Sequence, residues 1–262
     1  MILYKYVSAL RAIQIIKDRQ IQFSLPRYFN DPFDRPLNPI ARSRDLWGDL
    51  MGPLRADIKS RIWEANSGVL SLTRIPTNSL MWAHYADSHK GVVLGFDVEE
   101  AGFLERQTNL IPAHFGSVIY SRRRVLDDYS TEEANPLTIG GTYRFDISNY
   151  EKLQRLFLTK PLDWAYEEEV RVVKCVLGMT VGHSETESGI FDVVETAEGL
   201  RYLYNLPIKS LKEMYYGVRC NPKPFRELNY NGISMSFNLC ELNHDTYELT
   251  SKHVGSFPIY SV

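Results

Sequence analysis

The stretch "AYEEEVRVV" sets Glu167 and Glu169 two residues apart, with Arg171 two further on. In a strand alternate residues point the same way, so these three would share one face while Val170, Val172 and Val176 share the other. The valine face would pack on the core. The acidic face must meet water, a cleft or opposing charge, because an unpaired buried carboxylate is too costly. In a cleft, a fixed carboxylate stabilises positive charge, as cleavage of a glycosidic bond through an oxocarbenium-like state requires. On an exposed strand the same residues are a solvated edge balanced by Arg171 and cross-strand partners. The spacing alone leaves both readings open.

Three further stretches supply company for the glutamates. In "GVLSLTR", Ser71 and Thr73 take one face and Leu70 and Leu72 the other; in "LYKY", Lys5 stands between Tyr4 and Tyr6. If these strands adjoin, one cleft holds hydroxyls, an amine, phenols and a carboxylate. In "MWAHYADSH", Trp82, His84 and Tyr85 could wall a nicotinamide or adenine ring. His84 and His89, five apart on a helix, point away from each other, so a zinc pair is not expected and no metal is called. "FNDPFD" reads as a rigid turn, with Asp31 or Asn30 bonding turn amides and Phe29 and Phe33 anchored in the core. Its functional version brings Asn30, Asp31 and Asp34 to a ligand or Mg²⁺.

The elements that must position these groups follow from pattern. "ILYKYV" is strand-like, and Ser8 caps a helix "ALRAIQIIKDR" whose Leu10, Ile13 and Ile16 recur at helical spacing. "QIQFSL" is a second strand, and "PRYFNDPFDRPLNP" a loop. "ARSRDLWGDLMGPLRADIKSRIWEAN" is helical in composition, broken near Gly52-Pro53. "TNSLMWAHYADSHKG" is a short helix capped by Thr77 or Asn78 and stopped at Gly91, and "VVLGFDV" a central strand covered on both faces. "SVIYS" is a strand, "RRRVLDDYSTEEANPLTIGG" a polar connection, and "YRFDISNYEKLQRLFLTK" a long helix with Ile147, Leu153, Leu156 and Phe157 on one side. "GMTVGHSETESG" is expected to be a loop, "IKSLKEMYYG" a short helix ended by Gly217, and "ISMSFNLCEL" a late strand.

The expectation is one α+β domain over 1–262 with a mixed or antiparallel sheet flanked by helices. Its core motifs span 3–176, and 177–262 complete the sheet or form an appendage. The 262 residues are 44% hydrophobic, enough for a substantial core, and the formal net charge of -2 gives no global pull toward nucleic acid or anionic membrane. Arg122, Arg123 and Arg124 make a local basic patch that reads as a solvated loop. Cys175, Cys220 and Cys240 are odd in number and widely spaced, which argues against a disulfide framework. No secretory or membrane-spanning run is legible, so a cytoplasmic protein without a membrane partner is expected.

The ordered set "LYKY", "FSLPRYFNDPFD", "VLSLT", "LMWAHYADSHKGVVLGF", Lys160 and "DWAYEEEVRVV" resembles an uncharacterised bacterial domain-of-unknown-function family over Tyr4 to about Val173. The order of first strand, "SLT" strand and "E-x-E" strand is also similar to that of ADP-ribosyltransferases. That resemblance implies an ADP-ribosyltransferase-like fold with NAD as co-substrate. Ser71 and Thr73 would match its serine strand, Glu169 its catalytic glutamate and Glu167 the partner. Lys5 and Tyr6 stand where that pattern has arginine or histidine; lysine lacks the bidentate fork.

Three functions follow as expectations. The first is an NAD-consuming enzyme, by ADP-ribosyl transfer or NAD hydrolysis, acting as a toxin or phage-defence effector on a protein or nucleic-acid target. The second is a Mg²⁺-dependent nuclease using Asp31, Asp34, Glu167 and Glu169. The third is a nucleotide-binding module without turnover.

Overall fold

The computed structural model describes residues 1–34, 61–123 and 144–257. Of the helix expected over 41–66, residues 41–60 with the Gly52-Pro53 break lie outside them and 61–66 are helical; of the polar connection over 122–141, all but Arg122 and Arg123 lie outside them.

The chain is α+β, built on a mixed seven-stranded sheet in the order β13-β12-β11-β4-β1-β3-β7. Its strands are β1 (Ile2–Val7), β3 (Ser67–Thr73), β4 (Val92–Asp97), β7 (Glu169–Cys175), β11 (Leu211–Tyr216), β12 (Met235–Leu242) and β13 (Leu249–Phe257). Only the β11–β12 pair is parallel in this sheet. A second, antiparallel sheet runs β2-β10-β9-β8, from β2 (Gln20–Phe23), β8 (Gly182–Thr186), β9 (Gly189–Thr196) and β10 (Gly199–Asn205). A short parallel pair joins β5 (Ile119–Ser121) to β6 (Thr159–Pro161).

The helices cover both faces of the large sheet. Helix α1 (Ala9–Asp18) starts where Ser8 accepts from the Arg11 amide at 3.3 Å, and buries Ala12, Ile15 and Ile16. With Leu3, Val7, Leu70, Leu72 and Val172 these residues form the main core, shared with Phe191 and Tyr204 of the second sheet. Each such aliphatic burial contributes roughly 1.5–3 kcal/mol. The opposite face carries two smaller clusters. One packs Val69 and Val173 under α3 (Tyr150–Phe157) through Leu153, Leu156 and Phe157. The other packs Tyr6 and Val93 under α2 (Ser79–Tyr85) through Met81 and Trp82.

Several expectations are corrected. "LKEMYY" is strand β11 and not a helix, because it completes a ladder between β4 and β12 that no local propensity can outweigh. "GHSET" is strand β8, held only by β9. Leu10 is 69% exposed, so the buried stripe of α1 is displaced from the one the spacing suggests. Helix α3 begins at Tyr150, preceded by a 3-10 turn over Ile147–Asn149, and Ile147 is exposed. Helix α2 is capped by Asn78, which accepts from the amides of Leu80 and Met81, and it ends before Gly91 in a left-handed turn at Asp87, Ser88 and His89.

Candidate functional site

Between β1 and β3 the large sheet parts. The two strands pair at Tyr4–Thr73, and four residues back Val69 is bonded to Ser24 beside β2, each donating to the other's carbonyl at 2.9 Å. Across the opening, Lys5 donates its ammonium to the Ser71 carbonyl at 3.0 Å, replacing a strand partner with a side chain. Tyr4, Lys5, Ser71, Thr73, Glu167 and Glu169 line the half-open cavity there, with a volume of about 160 Å³.

The registers set Glu169, Thr73, Tyr4, Gly95 and Glu213 in one transverse row across β7, β3, β1, β4 and β11. Directly opposed residues in antiparallel strands share a face. Gly95 matters because a Cβ there would lie 2.9 Å from that of Glu213 and 3.1 Å from the Tyr4 ring, which donates its hydroxyl to Glu213 at 3.0 Å.

The floor of the cavity is an ion-pair network. Arg171 donates through Nε to Glu169 Oε1 at 2.8 Å and through Nη2 to Glu169 Oε2 at 3.0 Å. Its Nη1 and Nη2 also take Asp34 Oδ1 and Oδ2, and Nη1 takes the Phe157 carbonyl at 2.7 Å. All five guanidinium hydrogens are thereby used. Lys160 donates to Glu169 at 3.1 Å and to Glu167, while Glu167 accepts the Tyr85 hydroxyl on its other oxygen. Arg171, Glu167 and Glu169 are each at most 4% exposed. Burial pushes Glu169 upward, but Arg171 and Lys160, with a hydrogen bond from Ser71, overcome it and hold the carboxyl at about 2. Burial likewise draws Lys5 down to about 8, against the pull of Glu169. Tyr85 is raised, by burial first and then by Glu167.

Glu167 is reached differently from the expected strand geometry. It ends a 3-10 turn over Leu162–Glu167, and Glu168 takes a left-handed conformation with φ 43° before β7 begins at Glu169. The kink, not strand alternation, brings both glutamates onto Lys160. The outer edge of β7 is paired by residues 111–118, and Gly116 allows it: a Cβ there would lie 1.9 Å from the Arg171 carbonyl oxygen.

The other expected residues divide. Tyr6 lines the cavity and donates to the Ile75 carbonyl at 2.8 Å, and Asn30 and Tyr85 line it too. Trp82 is wholly buried, its indole N–H given to Pro76, so it cannot wall a ligand; His84 is exposed and outside the lining. Asp31 serves the turn, accepting from the Phe33 amide at 2.8 Å, whereas Phe33 is exposed and not a core anchor. Asp34, Lys160 and Arg171 form the network; spacing set Arg171 beside Glu169 as its balancing charge, but gave neither Asp34 nor Lys160 that role. Lys160 did stand out as part of the ordered motif set. Among the described residues no group of three or more His, Cys, Asp or Glu is arranged to hold a metal ion. All three cysteines are free.

Fold and site together define an α+β chain whose opened sheet exposes a buried carboxylate–guanidinium network to a small cavity. Residues 81–172 match the model of a family described as "Protein of unknown function (DUF2971)", so this stretch is similar to an uncharacterised domain family. The matched stretch carries Tyr85, Lys160, Glu167, Glu169 and Arg171, but not Lys5, Asp34 or Ser71. No curated protein and no solved structure matches the chain. No described helix is long and apolar enough to cross a membrane.

Proposed function

We propose that this cavity binds the nicotinamide–ribose end of NAD and breaks its glycosidic bond, in the cytoplasm, as a toxin or phage-defence effector would. The observation that carries the reading is that Ser71, Glu167 and Glu169 open onto one cavity from adjoining positions, beside the phenols of Tyr4 and Tyr85. The size fits: about 160 Å³ suits a single six-membered ring, since a cavity of roughly 150 Å³ holds benzene.

In this reaction the ribose–nitrogen bond breaks, its electron pair leaves with nicotinamide, and positive charge grows on the ribose. Glu169, kept ionised, stabilises that charge electrostatically. Its oxygens are already served by Arg171, Lys160 and Ser71, so its part is field and not proton transfer. Glu167 spends one oxygen on Lys160 and one on Tyr85, which leaves lone pairs for a ribose hydroxyl. Water or a nucleophile on a protein or nucleic-acid target completes the exchange. The Asp34 and Glu169 oxygens that Mg²⁺ would need face Arg171 and Lys160, so a nuclease draws less support.

The test is nicotinamide release from NAD by the wild type, Glu167→Gln and Glu169→Gln, with folding followed by circular dichroism. Loss of about 10²-fold or more in folded variants is expected. Equal rates in all three proteins would remove the proposal.

A further inference from the structure

The cavity at the sheet opening has room for one ring, so a larger ligand must continue elsewhere. It can. Lys5, Asn30, Ser71 and Tyr85 are common to this cavity and to a neighbouring depression that reaches Arg11. Arg11 and Tyr28 are in turn common to that depression and to a third, which ends at Arg201 and the Gly199 turn of the second sheet. Through these shared residues the three depressions adjoin one another from Glu169 to the β9–β10 turn.

Cations mark this path. Lys5, Arg11 and Arg201 follow one another along it; burial first, and then the charge of Arg201, lower Arg11, with Asp18 opposing, and Arg11 in turn lowers Lys5. Arg11 spends Nη1 on Gln14 at 3.2 Å, while its Nη2 is buried and has no hydrogen-bond partner among the described residues. Arg201 pairs with Glu198, which lines the same depression, at 2.8 Å, and a phosphate would compete with that carboxylate for it. Like charges packed beside an unmet donor are unfavourable, and an anion bound between them relieves both costs. The guanidinium fork matches phosphate oxygens in pairs, which an ammonium such as that of Lys5 does not.

We infer that the Arg11–Arg201 stretch is a phosphate subsite, which holds the phosphates of an extended nucleotide whose far end enters the cavity at Glu169. The Nη2 hydrogens of Arg11, unmet in the structure, are the donors such a phosphate would take. The inference rests on the reading that the cavity takes the nicotinamide end, but its test needs no turnover.

Calorimetric titration with ADP and with adenosine provides that test. Wild-type protein should bind ADP at least about tenfold more tightly than adenosine, and Arg11→Gln should erase the difference. Arg201→Gln should reduce it, and Arg11→Lys, which keeps charge but loses the fork, should fall between. An unchanged ADP-to-adenosine ratio in folded Arg11→Gln overturns the subsite, as does wild-type indifference to the phosphates. If NAD is never consumed while ADP binding still depends on Arg11, the cleavage reading falls and the subsite stands. If NAD is consumed with a KM that Arg11→Gln does not alter, the subsite falls instead.

Discussion

Lys5 spans the gap between two strands of one sheet, its ammonium 3.0 Å from the carbonyl oxygen of Ser71. Burial, with Arg11 adding to it and Glu169 opposing, sets this lysine at about 8. It is charged below that pH and neutral above, so affinity for ADP should fall as pH rises through about 8. Titrations at about pH 7 and about pH 9.5 should show the drop in wild type and a flat response in Lys5→Met. Parallel behaviour of the two proteins would sever Lys5 from ligand binding.

The Arg171 network should dominate stability locally. Asp34→Asn removes the bidentate partner of a guanidinium that is 2% exposed, and should cost about 3 kcal/mol in chemical denaturation. Arg171→Lys should cost as much or more, because three donors cannot replace five. The exposed Glu151–Arg155 pair offers a contrast, and Glu151→Gln should change stability by less than about 0.5 kcal/mol.

Lys174 gives a pH test with the sign of the usual acid effect, moved into the alkaline range. It donates to the carbonyls of Thr108 and Ser188 at 3.0 and 2.7 Å, and burial holds it at about 7. Between about 7 and 10.5 the unfolded chain binds more protons at this site than the folded one, so stability rises with pH. The gain reaches at most about 1.4 kcal/mol per pH unit. Comparing wild type with Lys174→Met from neutral pH to about pH 9.5 should show a steeper rise in the wild type, Lys5 contributing equally to both.

Gly116→Ala should be severe. The added methyl would meet the Arg171 carbonyl oxygen at 1.9 Å, and backbone on both sides must shift. A loss of about 2 kcal/mol or more is expected, read as a fall in melting temperature. A melting point equal to wild type would mean that the edge pairing of β7 is more pliant than its hydrogen bonds imply.

Legibility followed the range of the physics involved. The alternation of Ser71 and Thr73 against Leu70 and Leu72 is local, and β3 shows that parity. Ser8 and Asn78 as caps are equally local. The pairing of Asp34 with Arg171 joins residues 137 apart, and nothing in either neighbourhood names the other. Strand β11 was hidden because "LKEMYY" suits a helix alone, while β4 and β12 decide its state. The left-handed turn at Glu168 also left no mark, since glutamate rarely adopts it; Glu167 therefore reaches Lys160 by a route that spacing could not show.

The transverse row from Glu169 to Glu213 has a consequence for the order in which a growing polypeptide becomes competent. Tyr4 meets Glu213 across 209 positions of sequence, and Thr73 donates to the Glu167 carbonyl across 94. A ribosome therefore releases the Tyr4 phenol and the Ser71 and Thr73 hydroxyls long before the carboxylates of Glu167, Glu169 and Glu213, or the Arg171 guanidinium that organises the site. Chains that stop short of Glu169 carry an unfinished, chemically silent crevice, and whatever the finished one does begins only once Arg171 has been made.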